Sequence, residues 1–120
     1  MNTISLVGRL TAKPELRVTR NEQEVTELSV ACDRRYYGKG ERQTDFFKVV
    51  VWGPSAKFIC EYGDKGNLVH VVGELQIREY TNTQGAKVKS YEIKCEEIRN
   101  LTPRKQQGDY EAVAPDPFGE

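Results

Sequence analysis

Residues 44–52 read TDFFKVVVW, from Thr44 to Trp52. Side chains of an extended chain alternate with period two. The stretch therefore separates into Phe47, Val49 and Val51 on one side and Phe46, Lys48, Val50 and Trp52 on the other. The first set is wholly apolar and is the natural core face. The second mixes rings with a lysine, and a charge on that face requires it to meet water. This pattern describes a strand that closes a core on one side and offers aromatic surface to solvent on the other.

The flanking sequence extends the β pattern. Gly53-Pro54 ends the strand, and Pro54 suits the first turn of a short helix, SAKFICEY, with Ala56, Ile59 and Cys60 inward and Gly63 as a left-handed stop. Upstream, TISLVGRL (Thr3 to Leu10) alternates and is followed by a turn at Lys13-Pro14, while EVTELSVACD (Glu24 to Asp33) sets Thr26, Leu28, Val30 and Cys32 on one face. Downstream, NLVHVVGELQIREY (Asn67 to Tyr80) reads as a long strand whose Gly73 sits where a bend or bulge would ease barrel closure. Its outer half alternates Leu75 and Ile77 with Gln76, Arg78 and Tyr80, so a polar face again carries a base and a ring. TNTQG then makes a hairpin loop, and Lys87 to Ile98 returns as the last strand. Five strands with one short helix between the third and fourth predict an all-β, partly open Greek-key barrel, the OB-fold. Residues 1–102 form this domain, and residues 103–120, rich in charge, Gly, Pro and Gln, a flexible acidic tail.

A chain of 120 residues fits one domain with a modest core. Its 18 basic and 18 acidic residues cancel, but the distribution is uneven. From Gly108 onward come Asp109, Glu111, Asp116 and Glu120 with no base, which leaves residues 1–107 with 18 bases against 14 acids, a net of +4. Cys32, Cys60 and Cys95 are odd in number and widely spaced, which argues against a disulfide framework or zinc site and suits small buried hydrophobes in a reducing compartment. No signal-peptide pattern and no run of 18 apolar residues occurs, so the expectation is a cytoplasmic protein with no membrane partner.

Between the second and third strands, RRYYGKGERQ supplies Arg34, Arg35, Tyr36, Tyr37, Lys39 and Arg42. Rings and cations thus converge from this loop, from TDFFKVVVW and from the fourth strand. That combination suits a single strand of nucleic acid, because any base can stack on a ring while phosphates pair with lysine and arginine. The ordinary alternatives are core packing, which holds for Phe47, and a subunit interface for the paired tyrosines. The lone His70 lies in a strand and reads as structural. No second histidine, phosphate loop or metal-ligand spacing is present, so neither an enzyme nor a cofactor is expected.

LVGRLTAKPELR, TDFFKVVVWG-x-x-A, YGDKGNLVHVVGELQIREYTNTQG and the following YEI, in one order and register across about residues 1–101, resemble the bacterial single-stranded DNA-binding protein family. The resemblance implies an OB-fold homotetramer that binds and wraps single-stranded DNA with little sequence preference in replication, recombination and repair, associated with the nucleoid. It places Tyr36, Phe46, Trp52 and Tyr80 at stacking positions and matches Lys48 and Arg78 to basic positions, whereas Glu79 stands where a base is common. Together with the basic loop, the phosphate-contact candidates are Arg34, Arg35, Lys39, Lys48, Arg78 and Lys87. Members of the family end in an acidic run and a terminal Pro-Phe that recruits replication and repair proteins. Here Asp116, Pro117 and Phe118 match that docking tail, but Gly119 and Glu120 follow and the linker is short, as in a short-tailed or a phage- or plasmid-encoded paralogue. The alternative reading of the same face is a protein-interaction module, such as a replication-restart accessory.

Overall fold

The computed structural model describes residues 1–35 and 42–102. In chain order they form β1 (Ile4–Leu10), β2 (Arg17–Val18), β3 (Glu24–Asp33), β4 (Thr44–Trp52), α1 (Pro54–Tyr62), β5 (Leu68–Thr81) and β6 (Lys87–Asn100). All five strands expected from alternation are present, and α1 lies between the third and fourth of them. The addition is β2, a two-residue strand that pairs with β3 through Arg17↔Val25 and Val18↔Glu24. Two residues are too few to show a period, so no alternation marks it. The turn that joins it to β3 is held by Thr19, whose carbonyl accepts from the Glu22 amide at 2.8 Å and whose Oγ1 accepts from the Gln23 amide at 3.2 Å.

The sheet runs β1-β5-β6-β4-β3-β2, and β3 also pairs with β1. That last pairing, Arg9↔Ala31 and Leu10↔Val30, joins the two ends of the five long strands and rolls the sheet into the expected barrel. β1 therefore has two partners, β5 along Ile4 to Arg9 and β3 at its end. At the changeover stands Gly8, where a Cβ would lie 2.5 Å from the Ala31 carbonyl oxygen and 2.7 Å from Cys32 Sγ. Gly73 performs the matching service on β5. The register slips between Val72 and Gly73, which face Glu97 and Cys95, so Glu96 is the extra residue of a bulge on β6. A Cβ at Gly73 would collide with the Lys94 carbonyl oxygen.

Alternate residues of the strands fill the interior: Leu28 and Val30, Val49 and Val51, Val69 and Val71, and Ile93 with Ile98. Burying each such side chain contributes roughly 1.5–3 kcal/mol. Ala56 and Ile59 of α1, both fully buried, join this core. Thr26, buried in the same layer, satisfies its hydroxyl by donating to the Glu15 carbonyl at 2.8 Å. Gly63 ends α1 but not as a left-handed residue: its φ of −91° and ψ of 155° are extended, and its amide donates to the Ile59 carbonyl. Glycine is needed there for space, since a Cβ would stand 2.5 Å from that same oxygen.

Beyond Glu74, β5 and β6 leave the barrel as a projecting hairpin. Residues Leu75 to Thr81 are all exposed. Leu75 and Ile77 thus do not enter the core as their alternation suggests; they cross the hairpin to Ile93 and Tyr91 with no layer above them. Asn82 shapes the tip, its Oδ1 accepting from the amides of Gln84 and Ala86 at 2.8 and 3.0 Å.

Replacing Gly8 by alanine is expected to cost about 1–3 kcal/mol, because the clash is with backbone and with two packed side chains rather than with a flexible tip. Thermal unfolding reads the loss as a Tm lowered by about 4–8 °C per kcal/mol; an unchanged Tm would contradict the closure at this residue.

Candidate nucleic-acid interface

The outward residues of β4 are Phe46, Lys48, Val50 and Trp52, opposite Ala31, Ser29, Glu27 and Val25 of β3. On the other side β4 runs parallel to β6, with Val50 beside Lys94. β6 in turn registers Glu92 with Gln76, Ser90 with Arg78 and Val88 with Tyr80 of β5. Tertiary pairing thus brings Trp52, Val50, Lys94, Glu92, Gln76 and Arg78 from three strands into one groove of about 840 Å3. The β2–β3 turn, through Val18, Glu22, Gln23 and Glu24, forms its wall.

The core face and the wet face divide as the alternation predicts. Val49 and Val51 are fully buried and Phe47 packs against the core, whereas Phe46 is 67% exposed and Trp52 41%. Tyr80, on the projecting hairpin, is 52% exposed. The rings are spread along the sheet rather than gathered: Trp52 lies in the groove just described, while Phe46 borders a second one with Ile4, Phe47, Leu75 and Tyr91. Tyr80 lines neither. Tyr36 and Lys39, and the tail residues Asp116, Pro117 and Phe118, lie outside the described residues.

Among the described residues, three of the expected cations, Arg34, Lys48 and Arg78, have carboxylate partners. Arg34 donates from Nε to Asp45 Oδ2 at 2.8 Å and from Nη2 to Oδ1 at 3.0 Å, a two-pronged pair on the surface. That pairing raises the Arg34 guanidinium's pKa and holds the Asp45 carboxyl below its usual range, each chiefly through the shared hydrogen bond. Lys48 Nζ stands 3.2 Å from Glu27 Oε2 and 3.5 Å from Glu92 Oε2. Its pKa is raised, above all by the hydrogen bond it donates to Glu27. Arg78 Nη2 reaches the second oxygen of Glu92 at 3.6 Å, so two strands' cations meet on one carboxylate that is 10% exposed. Arg35 is exposed at the loop start, and Lys87 is exposed at the start of β6 with no ion pair among the described residues.

Lys94 was not among the residues picked from the sequence. It is exposed, lines the groove beside Trp52 and Arg78, and has no ion pair among the described residues. The signal was available: Glu92 and Lys94 flank the core residue Ile93 with period two. Which groove they enter depends on the parallel β4–β6 pairing, which is not a local property. The lone His70 shares a 2.9 Å hydrogen bond with Ser5 Oγ on the neighbouring strand, outside both grooves. Among the described residues no helix is long and apolar enough to cross a membrane.

A closed five-stranded barrel with rings and lysines on its open sheet face defines an OB-fold binding module. The chain matches the single-strand binding protein family over residues 1–101, and it belongs to that family. It is 36% identical to single-stranded DNA-binding protein 1 of Lactococcus lactis subsp. lactis (strain IL1403) across 98% of this chain and 85% of that protein. It is 38% identical to single-stranded DNA-binding protein A of Bacillus subtilis (strain 168) across 90% of this chain, and the match spans 63% of that longer relative. The fold also resembles that of a Plasmodium falciparum SSB complex with ssDNA, with a TM-score of 0.76 at 24% identity over 84% of this chain and 95% of that one.

Cys95, beside the bulge, has its thiol pushed up to about 11 from 9.0, mainly because burial penalises the thiolate. The unfolded chain releases this proton near pH 9 and the folded chain near 11, so the contribution is intact below pH 9 and is lost as pH rises to about 11. Urea unfolding of the protein across that window should lose more stability than that of Cys95→Ala; parallel losses would remove the assignment.

Proposed function

We propose that this chain binds and protects single-stranded DNA with little regard to sequence, during replication, recombination and repair, as a cytoplasmic protein at the nucleoid. The observation that carries the reading is the exposure of Trp52 on a sheet face, in a groove it shares with Arg78 and Lys94. A large ring left in water on a rigid strand offers a stacking platform, and base stacking does not discriminate sequence because every base has a π-face. Unpaired bases stack on Phe46, Trp52 and Tyr80, with Tyr36 contributed by the loop. Lys48, Arg78, Lys87, Lys94 and Arg35 meet phosphates, together with Lys39 and, when it leaves Asp45, Arg34. Duplex is excluded because its bases are already stacked and its backbone is too stiff for a curved path over a barrel.

The chain acts by binding and not by catalysis. Residues 1–102 are the DNA-binding domain and residues 103–120 a tail in which Asp116, Pro117 and Phe118 dock replication and repair proteins. Self-association into a homotetramer is supported by the apolar side of the projecting hairpin, where Leu75, Ile77 and Tyr91 are 37, 58 and 55% exposed. A patch of this kind on a lone subunit marks a surface made to be covered.

Titration with oligo-dT, followed by Trp52 fluorescence and light scattering, tests both parts. Quenching of Trp52 is expected on binding, with Phe46→Ala and Tyr80→Ala each weakening affinity by about 1–3 kcal/mol. Affinity should fall as salt rises. Two full-strength alanine variants, or an affinity indifferent to salt, would refute the stacking and phosphate assignments. Ile77→Asp should lower the scattering mass of the free protein.

A further inference from the structure

Two carboxylates hold Lys48, and they differ in kind. Glu92 is 10% exposed at its side chain and bridges Lys48 to Arg78, so the buried charge has both of its oxygens committed to cations. Withdrawing either partner would leave that charge under-compensated. Glu27, by contrast, is 46% exposed at its side chain and has Lys48 as its ion-pair partner, at 3.2 Å, the shorter of the two contacts. The two lie diagonally across β3 and β4, since Glu27 registers with Val50 and Ser29 with Lys48. Glu27 therefore sits on the same outward face as Phe46 and Trp52.

An oxygen of Glu27 accepts from the ammonium where a phosphate oxygen would accept. We infer that Glu27 is an internal stand-in for phosphate, which the DNA backbone displaces from Lys48 on binding while Glu92 keeps the lysine in place. This rests on the reading of this face as the DNA site. The consequence is a set-point on affinity. A lysine that neutralises a phosphate ordinarily releases a counterion from the DNA. Here the freed Glu27 takes up a cation of its own, so Lys48 contributes less to the salt dependence than an unpaired lysine does. Exchange of one exposed carboxylate for a phosphate has little net energy, which lowers affinity at this point of contact and eases release of the strand.

The test is the affinity of the full chain for oligo-dT across a salt series, for the wild type, Glu27→Gln, Lys48→Ala, the double variant and Glu97→Gln. Glu97 pairs with Arg99 away from both grooves and controls for net charge. Glu27→Gln is expected to bind about two- to fivefold tighter at moderate salt, the range set by an exposed ion pair, with a logarithmic salt slope steeper by up to about 0.7. The gain should vanish in the Lys48→Ala background and be absent from Glu97→Gln. Unchanged affinity and slope in Glu27→Gln, a gain that survives loss of Lys48, or an equal gain in Glu97→Gln would each overturn the inference while leaving the DNA site standing. If the wild type fails to bind oligo-dT, the reading of the face itself fails and this inference with it.

Discussion

The structure depends on β1 being shared between two partners. Arg9 faces both Leu68 of β5 and Ala31 of β3, and this double pairing turns an open sheet into a barrel. It is possible because Gly8 has no Cβ where the β3 backbone passes close by. Closure pins β3, and β3 sets the register of β4 along nine consecutive pairs. Because the side-chain period is two, a slip of a single residue in that register would send Val49 and Val51 to solvent and Phe46, Lys48 and Trp52 inward. The binding face is therefore a consequence of how the barrel closes.

Electrostatics on that face is a matter of pairing more than of total charge. The body carries a net of +4, yet Arg34, Lys48 and Arg78 all have carboxylates within ion-pair distance. The pairs with exposed carboxylates, Arg34–Asp45 and Lys48–Glu27, are individually weak, so a phosphate can compete with those carboxylates. A polyanion that approaches meets two kinds of cation. Lys94 and Lys87 have no ion pair among the described residues, whereas Lys48 and Arg78 are oriented and partly neutralised by Glu92. Orientation limits the ordering entropy paid on binding, and neutralisation limits the gain.

Much of the fold was legible because it is written in alternation. TDFFKVVVW divides in the structure as it divides on paper, and EVTELSVACD buries Thr26, Leu28 and Val30 as its pattern requires. Gly73 was legible as a bend because glycine inside a strand has few other uses. Other features had no local signature. β2 is too short to show a period, and Gly63 carries the same letter whether it supplies a left-handed turn or merely room. Leu75 and Ile77 alternate like core residues, but no layer covers them, because the barrel ends at Glu74 and the hairpin runs on. Alternation reports which residues share a face; it does not report whether anything packs on that face.

By itself, then, the amino-acid order determined the five long strands, the helix, the family and the inventory of rings and cations, since these follow from spacings of two to four residues and from motifs read in line. Only the tertiary structure decided which of those rings and cations meet. Lys94 enters the groove through a parallel pairing between β4 and β6, elements some forty residues apart. Arg34 is matched to Asp45 across the loop, and Lys48 and Arg78 converge on Glu92 from separate strands. Such meetings are fixed by register and closure, which are properties of the whole sheet, and no local stretch of sequence contains them.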